Sequence, residues 1–359
     1  LKKQTTLGER KRKLKMTVSV HEIGKMPNGD LAQQIVLENK NGHQIGVTTW
    51  GATWQFFKTN DGHDLMVGLH TTDKLWEQLY SVGDAIGRVG NRITGATFTL
   101  EGKQYHLKDN ELGNALHGGR DSFSNRTWDF TIDQENNAVT FTTTMTEAID
   151  NFPGTMPTSI TYTLTDNDEV ILDFAAESDQ TTLYNPTSHG YFNPAGIDTD
   201  ARDLNLQINS QRRLELRDED TTPTGNFFEN AHTAYDFLKP TRIGDNLAQL
   251  EGPYDVKFDE AFEINQVAGQ PAAVVSDPKS GRNIEVYSDR NAIIFFIANP
   301  EVAYHEGDRE WFDAHPYNAI ALEAQTLSDA INHEGFGDIV LPANKKQTYR
   351  TTYKFNNLA

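Results

Sequence analysis

Cysteine is absent from the 359 residues. Disulfides, thiolate metal sites and thiol nucleophiles are therefore excluded, and a reducing, cytoplasmic setting is expected. Long apolar runs are missing too: no stretch approaches the ~20 residues that a membrane-spanning helix needs. Positive charge is scarce. Lys and Arg number 32 against 51 Asp and Glu, a formal net charge of −19. Seven of the first fifteen residues are basic and one is acidic, so the remainder carries about −25. A field of that sign repels nucleic acid and anionic membranes, and neither is expected as a partner. A neutral small molecule fits it better than a multiply phosphorylated one.

Common chemical signatures are missing as well. No GxxxxGK[ST] occurs, and Gly87-Arg88-Val89-Gly90 does not complete GxGxxG. There is no HExxH and no GxSxG, and none of the eleven histidines forms a ligand pair at helical spacing. No metal and no cofactor is expected. Residues 1–15 are basic but lack the apolar core of a signal peptide, and Met16 follows them. They are expected to be a disordered leader ahead of one domain over residues 16–359.

What is present is alternation. Ile160, Tyr162 and Leu164 alternate with polar residues, Asp166-Asn167-Asp168 turns, and Val170, Leu172 and Phe174 alternate again. Phe98 and Leu100, then Tyr105 and Leu107, repeat the pattern around Glu101-Gly102. Leu204, Leu206 and Ile208 follow it, as do Ile284 and Val286, and Tyr349, Thr351, Tyr353 and Phe355. A period of two with Gly, Asn and Asp turns marks half-buried antiparallel strands. Helical patterns are short, near Asp73–Glu77, Ile243–Leu247 and Asp329–Ile331. The expected fold is all-β, a large antiparallel β-sandwich with long loops available for binding.

Four segments break the structural text with functional side chains. Ile86 to Ile93 places Arg88, Asn91 and Arg92 in a glycine-rich turn. Asn114-Ala115-Leu116-His117-Gly118-Gly119 sets a histidine before two glycines that let backbone approach closely. Asn185 to Pro194 surrounds His189 with hydroxyls, amides and aromatic rings, the mixture a carbohydrate site needs. Ala319 to Gln325 carries Glu323 in an apolar strand, where burial raises a carboxyl pKa and suits it to acid–base work.

In this order, these segments resemble the aldose 1-epimerase (galactose mutarotase) family. The resemblance runs from about residue 17 to the C-terminus. It includes Gly51-Ala52-Thr53 on an early strand, Gly87 to Arg92, the Phe98–Tyr105 hairpin, Leu116 to Gly119, Ser188 to Asn193, Phe258 to Phe262, and Leu322 to Gln325 followed by Asp329-Ala330. It implies a galactose mutarotase-like supersandwich that interconverts the anomers of a free sugar without a cofactor. It puts catalytic roles on Glu323 as base and on His189, as imidazolium, as acid. It puts sugar binding on Asn91, Arg92, His117 and Asp259. The chain departs from the family at Ser188, Gly190 and Pro194, at Trp54 in place of a smaller residue, and at Ile294 where some members carry a sugar-contacting glutamine; Asn299 keeps a family asparagine. The preferred sugar therefore stays open between galactose, glucose, a disaccharide such as maltose, and a hexose phosphate. A glycoside hydrolase built on Glu323 and Asp259, and a non-catalytic carbohydrate-binding protein, are the rival readings.

Overall fold

The computed structural model describes residues 16–78, 80–250, 257–297 and 317–358. The basic leader and Asn299 lie outside them. The fold is an all-β sandwich dominated by two antiparallel sheets. One has nine strands in the spatial order Asp129–Asp133, Ala138–Met145, Met156–Leu164, Glu169–Ala176, Gln347–Asn356, Asn283–Ser288, Ala273–Ser276, Asn205–Ile208 and Thr241–Arg242. The other has seven, in the order Pro223–Glu229, Arg212–Leu216, Asp259–Glu263, Ala292–Ile297, Ile320–Gln325, Tyr191–Phe192 and Met66–Val67. A four-stranded sheet from Thr17–Lys25 to Trp54–Lys58 flanks them.

Alternation decides which way each side chain turns. On Met156–Leu164, Ile160, Tyr162 and Leu164 are buried, and the residues between them are half-exposed. The C-terminal strand does the same with Tyr353 and Phe355. The main core gathers these with Ile293, Phe295 and Ile297 and with Ile320, Leu322 and Ala324. The alternate residues of those two strands turn to the opposite face of the seven-stranded sheet. There Ile294, Phe296 and Ala321 join two other clusters. Both faces are therefore covered, and every position of Ala292–Ile297 and Ile320–Gln325 is buried. A strand covered on both sides reads as a continuous apolar run, so Glu323 stands out in its sequence.

Trp54 belongs to the main core. It is fully buried, its ring lies 5.4–6.4 Å from those of Phe192, Tyr353, Tyr162 and Phe355, and its indole N–H donates to the Phe56 carbonyl. It fills the space between sheets, where truncating a large aromatic costs about 3–5 kcal/mol. Gly51-Ala52-Thr53 form the turn before the Trp54–Lys58 strand rather than a strand of their own.

The short helices Thr72–Glu77 and Ile243–Leu247 form where the pattern places them, and Glu147–Asp150 adds a third. Residues 329–331 are a turn, not a helix. Asp329 adopts a left-handed φ of 57°, and its carboxylate accepts from Thr94 and Asn332, a tertiary use that wins over local helix formation. Among the described residues no helix is long and apolar enough to cross a membrane.

Candidate active site

The loop-covered face of the seven-stranded sheet orders its side chains in rows. Cross-strand partners share a face. One row runs Asp259, Phe296, Ala321, Tyr191, Val67. The next runs Ala261, Ile294, Glu323, and His189 completes it two residues before Tyr191. A strand and the segment leading into its neighbour thus bring together residues 134 apart in sequence: His189 Nε2 lies 3.4 Å from Glu323 Oε1, with both side chains buried. Asp259 opens a strand of this sheet.

Loops close over the rows. Residues 85–86 pair with Thr187–Ser188, and residues 92–93 pair with 115–116. The second pairing carries Asn91, Arg92 and His117 onto the same face. Gly118 makes the approach possible: at φ +83°, a Cβ there would fall 2.2 Å from the Gly87 carbonyl oxygen. The His117 N–H donates to the Asn91 carbonyl at 3.0 Å, and the Asn91 N–H donates back to His117 Nδ1 at 3.2 Å. The Asn91 side-chain oxygen accepts from the Arg92 N–H. Arg92 is held by two hydrogen bonds to Glu111, from Nε to Oε2 and from a terminal nitrogen at 2.6 Å. Glu111 has no motif around it, and its pairing with Arg92 was not legible in the sequence.

The six residues given roles by the resemblance are thereby brought near one another, whereas Arg88 of the same glycine-rich turn is spent on a buried pair with Asp150. The His117 and His189 rings are 5.5 Å apart and nearly perpendicular. The Tyr191 ring stacks on His189 at 5.0 Å, and Phe296 stands edge-on at 6.2 Å. Arg92 and Asp259 both act on Glu323 through their charges.

His117, His189 and Glu323 bring one ligand-type atom each within 4.8 Å of one another, the spacing of a metal site. Tautomer chemistry argues against that use. A backbone N–H can only donate, so Nδ1 of His117 is its acceptor and the neutral ring carries its proton on Nε2. The free edge of His117 is then a hydrogen-bond donor without a lone pair for a cation.

Burial sets the charge of the pair. It pushes the Glu323 carboxyl well above the usual range, with the Asp259 charge adding to the rise and Arg92 opposing it. It pushes His189 down to about 4, against Asp259. It also drives His117 well below the ordinary imidazole value, helped by His189 and Arg92. Burial thus disfavours the charged form of both groups, the Glu323 carboxylate and the His189 imidazolium alike. Glu323 Oε2 and His189 Nδ1 are buried with no hydrogen-bond partner among the described residues, which leaves both groups with bonding capacity for a ligand.

A sandwich face that buries a histidine against a glutamate inside a ring of hydrogen-bonding groups has the make-up of a small-molecule site. Residues 33–354 match the aldose 1-epimerase family, and the chain belongs to it. It is 41% identical to the maltose epimerase of Levilactobacillus brevis, over 93% of this chain and 99% of that protein. It is 34% identical to an aldose 1-epimerase of Streptococcus thermophilus, over 95% and 99% of the two chains. The solved galactose 1-epimerase from Lactobacillus acidophilus superposes with a TM-score of 0.82 at 25% identity, covering 95% of this chain and 99% of that one.

Proposed function

We propose that this protein interconverts the α and β anomers of a free aldose such as galactose or glucose, opening and closing the ring by acid–base catalysis. One observation carries the reading: the buried contact of 3.4 Å between His189 and Glu323. Anomerisation removes a proton from the O1 hydroxyl and delivers one to the ring oxygen O5. Glu323 accepts the first, His189 supplies the second, and the C1–O5 bond breaks to leave the aldehyde. Rotation about C1–C2 presents the other carbonyl face, and the same groups run in reverse. Arg92 and His117 donate toward O5 and the opened chain, while Asp259 and Asn91 hydrogen-bond ring hydroxyls and fix the sugar's register.

The pair holds one proton in both of its forms. Carboxylate with imidazolium faces the cyclic sugar, and carboxylic acid with neutral imidazole faces the open chain. Ring opening therefore cancels two buried charges. Burial, which penalises the charged form of each group, favours that change. The donor and acceptor atoms of the cyclic sugar are what hold the charged form together beforehand.

Glu111 keeps the Arg92 fork aimed at this surface. Glu111→Leu is expected to raise KM about tenfold and to lower kcat less, read from initial rates by polarimetry.

A second reading, favoured by the 41% identity to a maltose epimerase, is that the reducing end of a disaccharide is the preferred substrate. Ile294 stands directly across from Glu323 and offers the sugar no hydrogen bond. Polarimetry on freshly dissolved α-galactose, α-glucose, maltose and glucose 6-phosphate tests both. Acceleration of the neutral sugars over the phosphate is expected, and the largest kcat/KM names the substrate. No acceleration with any of them, or release of nitrophenol from a nitrophenyl glycoside, ends the epimerase reading.

A further inference from the structure

Asp84 is a buried carboxylate that the proton transfers above do not use. It is 3% exposed, and its Oδ1 accepts from two neutral donors, Thr53 Oγ1 at 2.8 Å and Gln78 Nε2 at 3.0 Å. Burial lifts its pKa to about 7 against the hydrogen bonds of Thr53, Gln78 and Ser124. Such burial costs free energy, and the backbone around it indicates what the cost achieves. The His189 N–H donates to the Asp84 carbonyl at 2.9 Å, and the Gly83 N–H donates to the His189 carbonyl at 3.0 Å. Both backbone hydrogen bonds of the histidine thus end on residues 83–84. Gly83 is itself pinned from the other side. Its carbonyl accepts from the Trp54 N–H at 2.8 Å, and a Cβ on it would lie 2.0 Å from the Trp54 carbonyl oxygen.

A second route leads to the imidazole ring. Gln78, which donates to the Asp84 carboxylate, also accepts from the Val82 N–H and so closes the turn that carries Tyr80. The Tyr80 carbonyl accepts from the Tyr191 hydroxyl at 2.9 Å, and the Tyr191 ring stacks on His189 at 23° between planes. The geometry points to Asp84 as a positioning residue for His189, its side chain latching Gln78 to residues 82–84 so that they hold the histidine's backbone directly and its ring through Tyr80 and Tyr191. The latch needs an acceptor at Oδ1 and does not need charge. This inference rests on the acid–base reading of His189 for its effect on rate, though not for the latch itself.

The test compares Asp84→Asn, Asp84→Leu and Gln78→Leu in the full chain, with two readouts. The first is kcat and KM for mutarotation of α-glucose or α-galactose per folded molecule. Leucine at position 84 and Gln78→Leu are each expected to lower kcat about tenfold or more, with KM within twofold, because a shift of ~1 Å at a catalytic group is that costly. Asp84→Asn, which keeps the acceptor, is expected to stay within threefold of wild type. The second readout is hydrogen exchange at the His189 and Gly83 amides, expected to quicken at least tenfold in both leucine variants and not in Asp84→Asn. Faster exchange in an enzyme whose wild type moves no anomers supports the latch and sinks the epimerase reading instead. Unchanged kcat and exchange in Gln78→Leu overturn the latch, even if Asp84→Leu does not fold. Equal damage from asparagine and leucine at position 84 also overturns it.

Discussion

Glu323→Gln is expected to lower kcat for mutarotation by ~10²–10⁴ while leaving KM within a few-fold, measured by polarimetry at saturating sugar. Glutamine keeps the shape and can still donate or accept hydrogen bonds, but it cannot take up a proton from O1. The pH profile of the parent enzyme follows from the same pair. On the proposed mechanism, activity needs one proton shared between Glu323 and His189. A second proton binds as pH falls through about 4, where burial has placed His189, and the shared proton leaves only well above the ordinary carboxylate range. A broad plateau with an acid limb near 4 is expected, its apparent values belonging to the pair. The stability effect has the opposite sign to the activity effect. A carboxyl whose folded pKa is raised contributes stability at low pH that is lost as pH rises through that folded value. The neutral amide removes this loss. Glu323→Gln should therefore melt at or above the parent's temperature at pH 8, and an inactive variant that melts lower would point to damage of another kind.

That trade between stability and activity explains why Glu323 and His189 stand out in the sequence. Glu323 interrupts a strand buried on both faces, and His189 sits among hydroxyls and aromatics, so both contradict the packing logic around them. The strands were legible for the complementary reason: Met156–Leu164, Glu169–Ala176 and Gln347–Asn356 have one buried and one half-exposed face, and a period of two records that directly.

What stayed hidden is what depends on long-range pairing. Glu111 looks like any surface acid until the strand pairing of Arg92–Ile93 with Ala115–Leu116 delivers it to Arg92. Asp84 lies two residues from a recognisable glycine-rich turn, yet its burial depends on Thr53 and Gln78, which no spacing links to it. Trp54 stands where the family carries a smaller residue, and only the pleat, which turns it into the core, shows what the extra volume fills. The helix expected at Asp329–Ile331 failed because local propensity could not register a carboxylate committed to Thr94, 235 positions away.

His189→Asn tests the other half of the pair and should also lower kcat by ~10²–10⁴, since asparagine has no proton to give O5. His117 cannot take over. Its ring is 5.5 Å from that of His189, its Nδ1 is bound to the Asn91 N–H, and burial holds its pKa well below the ordinary value, so it stays a neutral donor. The decisive measurement is the double variant. If Glu323 and His189 act as one proton-sharing unit, removing either already abolishes the exchange, and Glu323→Gln with His189→Asn should be slower than the worse single variant by less than about tenfold. Losses that multiply would mean that the two groups work independently, and the single-proton pair would then be the wrong description of the site.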